Sequence, residues 1–428
     1  MVKISGWESK TLGTLIDEGK IVIQTGPFGT VLSAKEFVKY GIPVVAVREI
    51  REGYIQIFDE TPCVSMKTYN RLSKYNLATN DLVFARKGNV ERSALIPLTK
   101  TKYFLGSDGI CLRVITKNLL PQYLFYAIQS NTVRSFLIQN AYGTTMAGLN
   151  EKILSAIPLF LPVDIDEQSA IAETFSDIDR LISSLQKLIE KKKAIKQGAM
   201  QELLTDKKRL PGFSVEWSQA PFEDIFDFLP TNAFTRDQMT DTGTIQNVHY
   251  GDILTKYGAC LDMANTDVPY LLETVSVRKY SESSYVREGD VIIADTAEDS
   301  TVGKCVELVN VYGKVLSGQH TMLCRPKVTF APKFLGYYMN AGCFHNQMLP
   351  FITGIKVSSI SKANISTLVL KYPTLVEEQQ AIAQVFSDMD EEIAQLEKEL
   401  AKYQQIKQGM MQELLTGRIR LKEGENNA

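Results

Sequence analysis

The sequence predicts an α+β protein made as a pseudo-two-fold tandem repeat: two globular domains separated by an antiparallel pair of long coiled-coil helices. Three observations predict it. Residues 167–209, EQSAIAETFSDIDRLISSLQKLIEKKKAIKQGAMQELLTDKKR, return as residues 378–420, EQQAIAQVFSDMDEEIAQLEKELAKYQQIKQGMMQELLTGRIR, without an insertion, which marks a duplication rather than a bias of composition. The apolar residues of each copy alternate at spacings of four and three, and each copy follows a stretch of similar size with globular character.

In the first copy the alternating row is Phe175, Ile178, Ile182, Leu185 and Ile189; in the second it is Phe386, Met389, Ile393, Leu396 and Leu400. A strict four-three row is the narrow seam of a coiled coil rather than the wider stripe of a helix lying on a core. No proline interrupts either copy. Asp164 with Glu167, and Thr374 with Glu377, have capping-box spacing, and Gly417 after Thr416 marks an exit. A helix of such length spans about 57 Å at ~1.5 Å per residue. Helix one leaves domain one for domain two, so helix two can bury its seam only by returning along helix one. Lys192 falls on the seam where the second copy has Tyr403, and its stem can snorkel past that layer.

The division that follows is 1–163 for the first globular domain, 164–210 for the first helix, 211–376 for the second domain, and 377–428 for the second helix and tail. In the first domain, β-branched runs at 21–23, 43–47, 82–84 and 110–114 stand between Gly, Asn, Asp and Pro, as strands do. Residues 119–141 have helical character. The second domain repeats this plan more loosely. Trp7 and Trp217 stand 210 positions apart as the two tryptophans of the chain, and PQYLFYA at 121 answers PKFLGYY at 332. The middles diverge: DLVFARKGNVER at 81 stands opposite DVIIADTAEDST at 290, and SDGICLRV at 107 opposite SGQHTMLCRP at 317. Scaffold is shared and the divergent middles carry whatever differs between the domains.

Composition narrows the function. The start MVKISGWESK has no apolar run with a cleavage site, and no stretch approaches bilayer-spanning length, so a cytoplasmic protein is expected. Six cysteines without CxxC or zinc spacing read as reduced, buried side chains. The net charge of −2 hides an asymmetry. Residues 1–210 hold 28 Lys and Arg against 21 Asp and Glu, and residues 211–428 hold 19 against 28. Nucleic-acid binding is announced by a basic footprint, which the first half alone carries. No Gly-rich phosphate loop, metal-ligand spacing or catalytic set appears, so no resident metal and no catalysis are expected.

Candidate contact residues cluster. Arg86, Lys87 and Arg92 flank Gly88 on a strand-to-turn corner, which suits phosphate or guanine; a solvated basic turn is the plainer alternative. Lys67, Arg71 and Lys74 interleave with Tyr69 and Tyr75 and are equally ambiguous. Gly143, Thr144 and Thr145 form a loop that can present N–H groups to a phosphate or be merely a loop. In the second half, Gln246, Asn247, His249 and Tyr250 form a dense donor and acceptor array, able to read adenine edges or to hold a buried turn. Arg278, Lys279 and Lys356 are its prominent cations, and His320 is a candidate contact for which a structural role is the commoner reading.

A duplicated "EQ..IA..FSD.D" entry followed by "IKQG.MQELLT" and a basic tail, each preceded by a divergent domain, resembles the specificity subunit of type I restriction-modification enzymes over the whole chain. The IQNVHYGDI, ADTAED and SGQHTMLCRP segments are similar to a common class of target recognition domain there. DLVFARKGNV resembles the family's strand and turn after Gly-Asp, with Asn80 in place of the Gly. The resemblance implies a non-catalytic chain in which each recognition domain reads one half of a split double-stranded DNA target. It implies that the helices set the gap and hold two adenine-N6 methyltransferase subunits, to which two restriction subunits add. Cofactors then belong to the partners: S-adenosylmethionine to the methyltransferase, ATP and Mg to the restriction subunit. From the residues alone, a coiled-coil scaffold joining two protein-binding domains without nucleic acid stays open.

Overall fold

A computed structural model describes residues 4–143, 147–299, 301–354 and 356–421. Both copies of the repeat are helices of 39 residues, Ile165–Leu203 and Val376–Leu414. The chain forms two compact units, Met1–Leu185 with Glu399–Ala428, and Gln186–Lys398. Each unit therefore takes helix from both copies.

The first unit is centred on an antiparallel sheet ordered Ile21–Thr25, Gly109–Val114, Leu82–Ala85, Ser93–Leu95. Its strands are apolar at consecutive positions because both faces are covered. Leu82, Phe84, Ile110 and Leu112 face one core, which includes Tyr123, Leu124 and Phe175. Val83 and Cys111 face the other, with Val44, Val45 and Phe104 of an outer lobe. The predicted helix over 119–141 is two helices, Pro121–Gln129 and Asn131–Asn140. Ser130 divides them, its extended backbone and its hydroxyl capping the second. A ribbon of Trp7–Thr11 and Pro158–Pro162 closes the unit beside the helix start.

The second unit repeats the sheet as Phe226–Leu229, Thr321–Pro326, Val291–Ala294, Cys305–Val309, and adds Cys260–Asp262 at the edge in parallel. Its faces divide likewise: Val291, Ile293 and Cys324 look toward Phe334 and Phe386, and Ile292, Ala294 and Leu323 toward Val248 and Val315.

Within each unit the two helix halves run antiparallel. Lys407 Nζ lies 2.5 Å from Asp179 in the first unit, and in the second Lys196 pairs with Asp390 and Lys192 with Glu392 at 2.6 Å. Leu185, Ile189 and Ile393 are buried in the seam row, while Ile178, Ile182, Met389, Leu396 and Leu400 are partly covered. Phe175 and Phe386 sit deeper, in the domain cores against Tyr126 and Tyr337.

Half of the expected first capping box forms, Asp164 Oδ1 accepting from Asp166 N–H at 3.0 Å at the helix start, but the repeated glutamate has a different purpose. Glu167 does not fold back on the helix start; its carboxylate accepts from Trp7 Nε1 at 3.3 Å and from Arg420 at 2.8 and 2.6 Å. Glu378 accepts from Trp217 and Arg209 in the same way. Thr374 likewise donates to the Glu216 carbonyl rather than capping. Gln168 and Gln379 bond the Pro162 and Pro373 carbonyls and accept from Leu120 and Ala331 N–H, stitching each helix start to its domain. Gly417, at φ 66°, and Asp206, at φ 61°, leave the two helices in left-handed conformation, which Asp adopts more readily than most side chains.

Candidate nucleic-acid interface

Both units build a turn on the same support. In the first, Asp81 is 2% exposed and accepts from Arg113 Nε at 2.8 Å and Nη2 at 2.6 Å; in the second, Asp290 and Arg325 repeat both distances. The preceding residue is left-handed in each case, Asn80 at φ 68° and Gly289 at φ 79°. Asn80 does the glycine's work, as Asn can. The strand after the carboxylate then reaches Arg86 in one unit and Asp295 in the other. Arg86 N–H donates to the Asp108 carbonyl and its own carbonyl accepts from Leu149 N–H. Asp295 does the same with His320 and Ile360. Next to them Lys87 bridges to Gly148, and Thr296 pairs with Ser359. The two backbones coincide in their bonding; the side chains are opposite in charge.

At the first turn, the Arg86 guanidinium lies over the Phe28 ring, 5.0 Å from Cζ to centroid. Its Nε is enclosed and has no hydrogen-bond partner among the described residues. A donor left so costs about 1–3 kcal/mol. Phe28 is 55% exposed, so the pair lies at the surface. Lys87 is held 3.1 Å from Asp108. Arg92 faces Asn89, whose amide oxygen, once turned toward it, stands 2.8 Å from Nη2. Gly143 is exposed at φ 103°; Thr144 and Thr145 lie outside the described residues. Lys67, Arg71 and Lys74 are exposed on the outer lobe, with Arg71 paired to Glu36 and Lys74 over the Tyr75 ring. Among the described residues no hydrogen bond or ion pair joins them to the Arg86 turn.

At the second turn the dense amide array resolves into scaffold and surface. Asn247 is fully buried, its oxygen taken by Asn232 Nδ2 at 2.6 Å, and Gln246 is 5% exposed. Neither offers an edge to a base, which corrects the adenine-reading expectation for this pair. They are enclosed because Ile245–Val248 is a central strand, flanked by Tyr270–Leu271 and by Lys314–Ser317. His249 caps the next helix, its Nδ1 accepting from Gly251 N–H at 3.1 Å. Burial, and then the Arg236 guanidinium beside it, lower its pKa, so it is neutral with its proton on Nε2. Asp252, which burial alone would raise, is held below the usual carboxylate range by hydrogen bonds from Arg236 and Lys256.

Tyr250 lies between His249, at 4.7 Å, and the edge of His320, at 5.3 Å. His320 is exposed at φ 55°, within reach of Gln319 at 3.2 Å and the Thr296 hydroxyl at 3.4 Å. Thr296 in turn donates to Asp295 at 2.8 Å. Lys356 is exposed beside Ser358–Ser359, the strand that pairs with Thr296–Ala297. Arg278 is exposed, and Lys279 is exposed over the Tyr280 ring. Phe28 is an addition that no local sequence signal selects, while Asp295, Thr296 and Gln319 lie within the divergent ADTAED and SGQHTMLCRP segments without being selected there individually. Among the described residues no cluster suited to a metal occurs, and no helix is long and apolar enough to cross a membrane.

Comparison with known proteins gives the family. Residues 5–197 and 214–408 each match the family described as Type I restriction modification DNA specificity domain. The chain is similar to the type I restriction enzyme MjaVIII specificity subunit of Methanocaldococcus jannaschii, 24% identical, covering 96% of this chain and 95% of that protein. It is also similar to that organism's putative type I restriction enzyme MjaX specificity subunit, at 23% identity over 97% and 94%. The fold is that of the S subunit of a type I restriction-modification system from M. genitalium, at TM-score 0.57 and 14% identity, covering 96% of this chain and 98% of that one. With two copies of the domain spanning most of its length, the chain belongs to the type I restriction-modification DNA specificity family.

Proposed function

We propose that the chain is the non-catalytic DNA-specificity subunit of a type I restriction-modification complex, and that each unit reads one half of a bipartite target in double-stranded DNA. The reading is carried by one observation: Arg86 and Asp295 hold the same place on the same backbone bonds with opposite charge. A repeat kept for stability alone has no reason to invert the chemistry of one surface turn. Two readers of different half-sites do. The 39-residue helices, about 58 Å long, act as the ruler between half-sites and as the platform for two adenine-N6 methyltransferase subunits and two restriction subunits. S-adenosylmethionine, ATP and Mg are then held by those partners. The acidic turn with Glu298 and Asp299 exposed leaves much of the phosphate binding to the partner subunits as well.

The test is to co-express the chain with its methyltransferase in a host without adenine methylation and map methylated adenines. A split motif with a fixed gap is expected. An assembled complex that methylates no split motif sinks the reading in favour of a protein-binding scaffold.

A further inference from the structure

Resting on that reading, we propose that Arg86 determines specificity in the first unit by reading guanine from the major groove, with Phe28 as the plate that orients it. The guanidinium stands apart from its neighbours. Elsewhere among the described residues of this unit guanidinium groups meet an acceptor side chain, as Arg113 meets Asp81, Arg134 meets Glu52, Arg71 meets Glu36 and Arg420 meets Glu167. Arg86 meets an aromatic face and no acceptor. Its donors are therefore unclaimed by the described residues, while the Phe28 ring covers one side of the guanidinium at 5.0 Å. A planar fork of donors matches two acceptors side by side, and in the major groove N7 and O6 of guanine present that pair.

A phosphate is the weaker match. A guanidinium fork can also grip a phosphate, but phosphates are common to both half-sites and give no reason for the charge at this backbone place to invert between the units. The second unit supplies the contrast: where Arg86 offers donors, Asp295 and the Thr296 hydroxyl offer acceptors at the equivalent place. The position is variable in chemistry on a support constant in geometry, as expected of a base reader and not of scaffold.

The experiment maps methylated adenines for the full chain with its methyltransferase, comparing wild type, Arg86→Ala and Phe28→Leu, with thermal melts of each. The expected result is a wild-type half-site containing guanine at one position, at which Arg86→Ala lowers discrimination tenfold or more. Other positions keep their preference, and the melt is little changed. Phe28→Leu, which frees the guanidinium, relaxes the same position to a smaller extent, and it decides the matter alone if Arg86→Ala fails to fold. An unchanged motif, relaxation at a position other than guanine, or uniform weakening on all sequences with a shallower salt dependence overturns the assignment while leaving the DNA-reading function intact. Absence of any split motif from the wild-type complex overturns both.

Discussion

Arg420 and Glu167 lie 253 positions apart, yet the Arg420 guanidinium donates to both oxygens of the Glu167 carboxylate, at 2.8 and 2.6 Å. Arg209 and Glu378 do the same at 2.6 and 2.6 Å. The exchange is reciprocal: the end of each repeat copy fastens onto the start of the other. Lys407 with Asp179 and Tyr126, and Lys196 with Asp390 and Tyr337, form a second reciprocal set one step along.

Arg209→Ala leaves Glu378, 1% exposed, with the Trp217 indole as its remaining donor. Removing one partner of a buried pair is strongly destabilising, and with Arg209 itself partly exposed the expected loss is about 3 kcal/mol. Denaturant unfolding checks it. Arg209→Lys keeps the charge without the fork and should recover only part; full recovery would show that geometry is irrelevant here.

Glu307 is 1% exposed, its oxygens accepting from Lys333 N–H at 2.6 Å and Gly336 N–H at 2.8 Å. Burial outweighs these bonds and pushes its pKa up to about 7. The folded state thus keeps a proton that the unfolded chain releases near pH 4.5. Its contribution is fully present below pH 4.5 and is lost as pH rises through 7, by about 3 kcal/mol in all. Glu307→Gln should remove that slope. Stability measured at pH 5 and pH 8, wild type against variant, reads the difference, and equal slopes would place the proton elsewhere.

Asp295→Asn replaces an acceptor carboxylate with an amide that also donates. In the assembled complex it should change or relax one position of the half-site read by the second unit and leave the first half-site alone. Mapping of methylated adenines checks it; a change confined to the first half-site contradicts the assignment of units to half-sites.

Removing residues 186–192 from one helix and 394–400 from the other takes one heptad from each and preserves the four-three seam. Seven residues shorten a helix by about 10 Å, so the gap between half-sites should contract by about three base pairs while the half-sites persist. An unchanged gap with altered half-sites would remove the helices from the role of ruler.

The repeat, the long helices, the strands at 21–23, 82–84 and 110–114 and the seam were legible because each is written in local periodicity or in exact recurrence. The charged letters of the repeat were not. Glu167 reads locally as a capping residue because its partners, Trp7 and Arg420, are remote in sequence. Asp179 and Lys407 recur in both copies because each needs the other copy's version of its partner, a relation that pairwise spacing cannot display. At the interface, Arg86 stood out as a cation on a corner, but its unclaimed donors depend on Phe28, from a loop that nothing in the sequence ties to it. Asn247 failed as a reader for the opposite reason: its polarity is satisfied inside, by Asn232.

The second compact unit is one continuous stretch, Gln186–Lys398, whereas the first needs Glu399–Ala428 to complete Met1–Leu185. During synthesis the unit nearer the middle can close on itself as soon as it has left the ribosome. The unit that starts the chain must wait, with Glu167 unmatched and the core around Phe175 lacking Leu414 and Leu415, until the residues after Lys398 emerge. Domains ordinarily mature from the N-terminus onward as they are made; here the second unit has all of its residues before the first does.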